Sequence, residues 1–496
     1  MANKLAMLFL VPLALALTAA AQSWVPAPSF PGEGAGTAIL RTDGTVMVEE
    51  VTGQASQGGL ATGRWFLLNP EDNDSYEDGT WTEIQGLPAG YAPLYFASAV
   101  LPNASVIVEG GEYNQGSQSD TTLGAIFNWD FETWSSVNPP KGWTAIGDAP
   151  SVVLPDGSFM LGEGGNCCSN TAEAIFNLST MTWSPTGSGK ADANSEEGWT
   201  LLPNGRVLTV DTQKVQSAEG YNPATGSWSP TKKMPINITY NCGNSNEVPE
   251  VGPAVLMTNG EVFATGANGY TAIYNYKTDS WKRGPTFPLN SAGQGQDGIA
   301  DGPATLLING NVLTMASNIN PCNITPSDFY EFNGTEFITV PGPPNAGNEV
   351  SFDGRMVNLP NGYVLFTDGS QDVEIYHPAG KPKSAWAPVI TSHPSTITLG
   401  KDFTVKGTQF NGLSQGAAYG DDAQMATNFP LVRVKNKATG HYFYGVSFNF
   451  SSMGVATGSE IISATAHLDS AETGPSYLEV VANGISSVAV DVTVEP

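Results

Sequence analysis

Short apolar runs broken at regular intervals by Asn-Gly or Asp-Gly dominate the chain, and the stretch Gly252–Pro285 shows the pattern best. An apolar strand, Ala254-Val255-Leu256-Met257, runs into Thr258-Asn259-Gly260. A second strand follows and stops at a glycine. A third carries Ala272-Ile273-Tyr274, and a tight turn leads to a fourth carrying Trp281. Alternating strands separated by residues that tolerate positive φ predict antiparallel hairpins, expected here with two-residue loops. The same unit recurs. Its first turn falls at Gly44, Ala104, Gly157, Gly205, Gly260, Gly310 and Gly362, in steps of 60, 53, 48, 55, 50 and 52 residues. The predicted fourth strands carry Trp81, Trp134, Trp183, Trp228, Trp281, Phe337 and Trp386. One four-stranded sheet cannot cover both of its apolar faces, whereas sheets stacked radially bury each other. A period near 50 with four strands per unit therefore predicts a β-propeller.

After Trp386 the period is lost. Seven shorter strands are predicted in the last 105 or so residues, among them Thr396–Leu399, Phe403–Lys406 and segments near 430–436, 440–448, 461–468, 476–484 and 486–494. That density suggests an immunoglobulin-like β-sandwich. The N-terminal segment Ser23-Trp24-Val25-Pro26 resembles Trp183-Ser184-Pro185, so it, rather than Trp386, is expected to supply the last strand of the ring.

Composition narrows the setting. Lys4, the apolar run Leu5–Leu17 and Ala19-Ala20-Ala21 form a secretory signal, residues 1–21, and place the mature chain outside the cell, or in the periplasm of a Gram-negative host. No later stretch is apolar enough to span a bilayer. Forty-seven acidic against 20 basic residues give a net charge of -27, which disfavours nucleic acid and anionic membranes and suits neutral sugars, cations or basic partners. Four cysteines in a secreted chain, Cys167, Cys168, Cys242 and Cys322, imply disulfides. A vicinal Cys167–Cys168 bond would be strained, so one of that pair is expected to bond Cys242 or Cys322. Seven N-x-Ser/Thr sequons begin at Asn73, Asn103, Asn177, Asn237, Asn323, Asn333 and Asn449.

The glycine pairs Gly110-Gly111 and Gly164-Gly165, the third-strand tyrosines and the fourth-strand tryptophans resemble the kelch repeat in the form found in galactose oxidase-like proteins, over about Thr37–Ile390. The resemblance implies a seven-bladed kelch-type β-propeller over residues 22–386, followed by an immunoglobulin-like early-set domain over 387–496. It also implies a copper-radical oxidase, whose metal is held by two Tyr and two His with one Tyr cross-linked to Cys. The residues disagree. The matching Tyr-His position reads Ser351-Phe352-Asp353-Gly354, where Phe352 has no hydroxyl and Asp353 is a hard oxygen ligand where an imidazole is required. The stretch matching the second histidine reads Val446-Ser447-Phe448-Asn449, and no inner strand begins with Cys. Tyr376-His377 mimics the pair from a third strand, away from the channel. Copper is therefore not expected.

Loop lengths pick one face. The long second-to-third loops and the connections between units, with all four cysteines, fall at the end where inner strands begin. Nine to eleven residues before each turn lie Glu33, Tyr95, Asp148, Glu196, Glu250, Asp301 and Asp353. These are expected to converge on the channel mouth and to bind a carbohydrate or protein through sugar-hydroxyl contacts, with Ca²⁺ as the one candidate cofactor. The alternatives are a hydrolase or lyase using paired channel carboxylates, and an oxidase with an altered site. No nucleophile elbow, zinc-protease helix or P-loop is present. Asp72-x-Asp74 is expected to be a solvated turn and Asp421-Asp422, after Tyr419-Gly420, part of the sandwich. A monomer is expected.

Overall fold

The computed structural model describes residues 22–165, 169–242, 248–320, 322–420, 422–423 and 425–496. The proposed signal at Met1–Ala21, and Cys167, Cys168 and Asp421, lie outside these. The fold is all-β. No helix among the described residues is long and apolar enough to cross a membrane.

Seven antiparallel sheets follow one another along the chain. Sheet I holds Gly34–Leu40, Val46–Val51, Ala61–Asn69 and Thr80–Ile84. Sheet II begins at Ala97–Val100, sheet III at Ser151–Val153, sheet IV at Thr200–Leu201, sheet V at Ala254–Leu256, sheet VI at Ala304–Leu306 and sheet VII at Arg355–Asn358. First strands adjoin between sheets II and III, IV and V, V and VI, and VI and VII, and Gly34–Leu40 meets Arg355–Asn358, so sheet I lies beside sheet VII. Second strands such as Val46–Val51 and Val106–Glu109 are buried throughout, because sheets pack against both of their faces.

The turn residues have the backbone their chemistry requires. Gly44, Gly157, Gly205, Gly260, Gly310 and Gly362 all have positive φ, and Ala104 adopts φ 67° at the same place. The loops are longer than expected from Asn-Gly alone. In sheet II, Ala104 N–H donates to Leu101 O (2.9 Å) while Leu101 N–H donates to Ser105 O (2.8 Å). This encloses three residues, with the left-handed residue last, which is the bulged hairpin rather than the two-residue one.

Third and fourth strands pair aromatic to aromatic: Phe127 opposite Trp134, Phe176 opposite Trp183, Tyr221 opposite Trp228, Tyr274 opposite Trp281. In sheet VII the fourth strand is the N-terminal segment Ser23–Pro26. Trp24 faces Tyr376 there, with ring centroids 4.9 Å apart. Trp386, the alternative for that role, ends a short 3₁₀ turn, Ser384–Trp386.

Among the described residues, the C-terminal part carries a sheet of eight strands hydrogen-bonded in one continuous order over Val389–Glu495, with a ninth, Ile485–Ser486, paired beside Gly474–Ala482. It is tied to the sheets at several places, among them Ser447 N–H to Thr42 O and Asn449 N–H to Pro102 O. Asp74, predicted to be solvated, is buried and receives Arg433 and the Tyr444 hydroxyl. In addition, the described residues of 411–429 leave the C-terminal strands and run among the first strands. Ala417–Ala418 pairs with Ala304–Thr305, and Gln415 Oε1 accepts from Leu201 N–H (2.7 Å).

Candidate functional site

Each first strand is preceded by a residue that the turn spacing singles out, and the fold gathers most of them. Tyr95, Asp148, Glu250 and Asp301 line a cleft of about 420 Å³ together with Glu112, Tyr113, Asn323, Phe352 and Tyr419. A second cavity of about 420 Å³ adjoins it. It shares Glu112, Tyr113, Asp148 and Glu250, and adds Asp120 and Glu196. No Lys or Arg is among the described residues that line either one. Glu196, Glu250 and Asp301 each present an oxygen, all within 4.8 Å of one another, at half-buried positions. That donor set suits a hard cation. Tyr95, Glu196 and Asp301 have φ of 55°, 60° and 56°, left-handed backbone that costs a non-glycine residue on the order of 1 kcal/mol. Three strained residues at one mouth mark it as a place the fold holds in shape against local preference.

Two of the seven lie elsewhere. Glu33 is exposed, and its backbone N–H, not its carboxylate, is engaged, donating to Glu50 Oε1 (3.2 Å). Asp353 is buried as a brace. Its carboxylate accepts from Ser56 N–H (2.9 Å), from the Ser56 hydroxyl (2.5 Å) and from Val350 N–H (3.4 Å). It fastens the turn Ser351–Asp353 to the segment Ala55–Gln57, and so satisfies backbone amides rather than facing a ligand.

Several lining residues carried no repeat signal. Glu112 follows Gly110-Gly111 and opens a small three-stranded sheet of Pro93–Leu94, Tyr113–Asn114 and Ser117–Gln118. Burial, then the charges of Asp120, Asp422 and Glu250, push its carboxyl up to about 7, against the Tyr113 hydroxyl, which favours the ionised form. Gln118 Nε2–H donates to its Oε1 (3.2 Å). Tyr95 and Tyr113, both half-buried, meet edge to face with centroids 6.3 Å apart at 60°. The glycine pair was the only sequence sign that this loop is constrained.

Tyr419 arrives on the segment that runs among the first strands, not within the C-terminal strands. Its hydroxyl donates to Phe352 O (2.7 Å), and the buried Arg355 guanidinium stacks 3.8 Å from its ring centroid. Arg355 also donates to Phe352 O (2.8 Å) and Gly354 O (2.9 Å). Asp422 lies near it, its carboxyl pushed up to about 6 by burial while Arg355 pulls the other way. Phe448, matched from sequence to a metal ligand, instead stacks on Trp129 at 5.7 Å.

The histidines lie apart from the cleft. His377 stacks on Tyr363 (3.8 Å) and meets Glu77. His393 turns to Pro394 O (2.9 Å). His441 meets Glu472 (2.9 Å), and His467 sits between Asp402 and Asp469. Among the described residues a disulfide joins Cys242 and Cys322, with Cα atoms 5.2 Å apart. The expected pairing of either residue with Cys167 or Cys168 is thus corrected. The loops before sheet V and inside sheet VI are adjacent, and the bond fastens the loop that brings Asn323 to the cleft.

The chain matches no protein-family model and no curated protein. Among solved structures it is similar to a fungal alcohol oxidase of the AA5 family, in complex with copper, at a TM-score of 0.52 and 13% identity, covering 96% of this chain and 100% of that one. The fold is galactose oxidase-like. At 13% identity the likeness extends to the fold and leaves the chemistry to the residues of the cleft.

Proposed function

We propose that the protein is a secreted, monomeric, seven-bladed kelch-type propeller with an immunoglobulin-like C-terminal module, and that it binds a neutral saccharide in the carboxylate-rimmed cleft. The observation that carries this reading is the cleft lining. Half-buried Tyr95 and Tyr113 offer ring faces and edges beside Glu112, Asp148, Glu250 and Asp301, with no basic side chain among the lining residues. Aromatic surface packs on the apolar face of a sugar while carboxylates accept from its hydroxyls. The absence of basic lining residues disfavours phosphorylated and sulfated ligands. The Cys242–Cys322 disulfide suits an oxidising compartment.

Copper chemistry does not fit this cleft. The relative of known structure binds copper. Here the lining donors are phenols, carboxylates and one amide, Phe352 lines the wall without a ligand atom, and the four histidines lie elsewhere. Hard oxygen donors alone suit Ca²⁺ better than copper.

A second reading, glycoside cleavage, is favoured by Glu112. A carboxyl that keeps its proton to about pH 7 beside other carboxylates has the character of a general acid. One experiment separates the two. The mature protein is screened on a glycan array, and hits are followed by calorimetry, reducing-end release and metal analysis of the same sample. Binding without release, weakened at least ~10-fold in Tyr113→Ala, supports the binding reading, since stacking on one aromatic is worth about 1–3 kcal/mol. Release that disappears in Glu112→Gln replaces it with hydrolysis. No glycan binding, or binding indifferent to Tyr113, sinks both.

A further inference from the structure

Beneath the surface of sheet IV lies a second acidic group, separate from the cleft. Asp192, Glu197 and Asp211 are 5%, 0% and 1% exposed, and each presents an oxygen within 4.8 Å of the others. The Lys190 side chain is buried beside them. Its Nζ lies 2.8 Å from Glu197 Oε2 and 3.1 Å from Glu219 Oε2. Glu219 has further donors in Ala191 N–H (3.0 Å) and Asp192 N–H (3.3 Å). Thr209 donates to Glu197 Oε2 (3.1 Å) and Gln213 N–H to Asp192 Oδ2 (2.9 Å). Asp211 is different. Neither of its oxygens accepts a hydrogen bond, although the Ser217 hydroxyl approaches.

Four buried carboxylates thus surround one ammonium. Removing charges from water costs several kcal/mol per ion unless they are paired, and one lysine cannot pair four. Oxygens bound to a single Ca²⁺ at roughly 2.4 Å can lie at most about 4.8 Å apart, the limit this trio respects. The donors are all hard oxygens, without imidazole or thiolate among the three.

We propose that Asp192, Glu197 and Asp211 bind one structural Ca²⁺ ion inside sheet IV, with Asp211, approached by the Ser217 hydroxyl but accepting no well-formed hydrogen bond, as its least satisfied ligand. The ion locks the segment Lys190–Glu197 onto the end of the strand Val207–Val210. The half-buried trio at the cleft can share its charge with water; the buried trio cannot.

The test uses the full mature protein purified in Ca²⁺ and then exhaustively dialysed. Calcium content is measured, and thermal unfolding is followed with EGTA and after Ca²⁺ is restored. The expected result is about one retained Ca²⁺ per chain, with a melting temperature that falls by several degrees in EGTA and recovers with Ca²⁺. Asp301→Asn, in the cleft, should keep both properties. Asp211→Asn should lose both, and Asp192→Asn serves if that variant does not accumulate. A wild-type melting temperature indifferent to EGTA and Ca²⁺ overturns the proposal. So does calcium that survives Asp211→Asn but disappears in Asp301→Asn, which would move the ion to the cleft. Neither result bears on glycan binding, so this proposal and the saccharide reading stand or fall separately.

Discussion

Glu112 shows what a single residue contributes to this fold and what it costs. Its carboxyl is raised from the ordinary 4.5 to about 7, mainly by burial. Folding therefore takes up a proton between those two values, and stability must fall as pH rises from 4.5 to 7 and stay low above. Glu112→Gln keeps the size and removes the charge. Denaturant titration should find the variant more stable than wild type at pH 8, by up to about 3 kcal/mol, and nearly equal to it at pH 4. A variant less stable at pH 8 would mean that the ionised carboxylate has a partner that Gln cannot replace. Neighbouring residues show how far the sequence could be read. Tyr95, Asp148, Glu196, Glu250 and Asp301 were legible because strand length fixes the distance from a hairpin turn back to the strand's start. Glu33 and Asp353 satisfied the same spacing, but spacing reports backbone position and not side-chain partners. Asp353 turns to Ser56, nearly 300 residues away. Glu112 had no spacing to reveal it, since it lies in the long loop between the second and third strands of sheet II, whose length varies from unit to unit.

Among the elements, sheet VII shows the advantage of reading register over reading spacing. Its fourth strand is Ser23–Pro26, so the first described strand completes the last sheet. Trp24 packs against Phe329, Phe366 and Tyr376, with centroids 5.4, 5.5 and 4.9 Å away, and its indole N–H donates to Pro341 O (2.7 Å). Trp386 had the right distance from the turn but follows Lys383 into a 3₁₀ turn, where the chain leaves for the C-terminal strands. Trp24→Ala should cost about 3 kcal/mol, near the low end for a large aromatic because the ring is only partly buried. Trp386→Ala should cost less, about 1 kcal/mol, since its half-buried ring packs on Gly310 and Lys383 rather than on an aromatic cluster. Equal losses in chemical denaturation would show that sheet VII does not depend on its N-terminal strand. The loop type was misread for a related reason: Asn-Gly states that positive φ is needed, not how many residues precede it.

At the scale of the whole molecule, the segment 411–429 decides whether seven sheets behave as seven parts. Repeated units that touch only their neighbours can unfold piecemeal. Here one strand of chain crosses between them. Gln415 caps Leu201 of sheet IV, Ala417–Ala418 pairs with sheet VI, and Asn358 of sheet VII lies against Gly416. Asn483 holds the segment from the C-terminal side, accepting from Leu413 N–H (3.0 Å) and donating to Ser414 O (3.0 Å). Nothing in the repeat pattern foretold this, because the segment lies outside the repeats and many of its partners are backbone atoms. The consequence is cooperative unfolding. Gln415→Ala leaves the buried Leu201 N–H without its acceptor, which should cost about 1–3 kcal/mol. The loss should appear as a lower temperature for one transition, with calorimetric and van't Hoff enthalpies still in agreement and tryptophan fluorescence coincident with far-ultraviolet dichroism. If the variant instead unfolds in two steps, the segment is what joins the sheets into one cooperative unit. If it is as stable as wild type, the sheets cohere through their own faces and the crossing chain serves only to carry Tyr419 to the cleft.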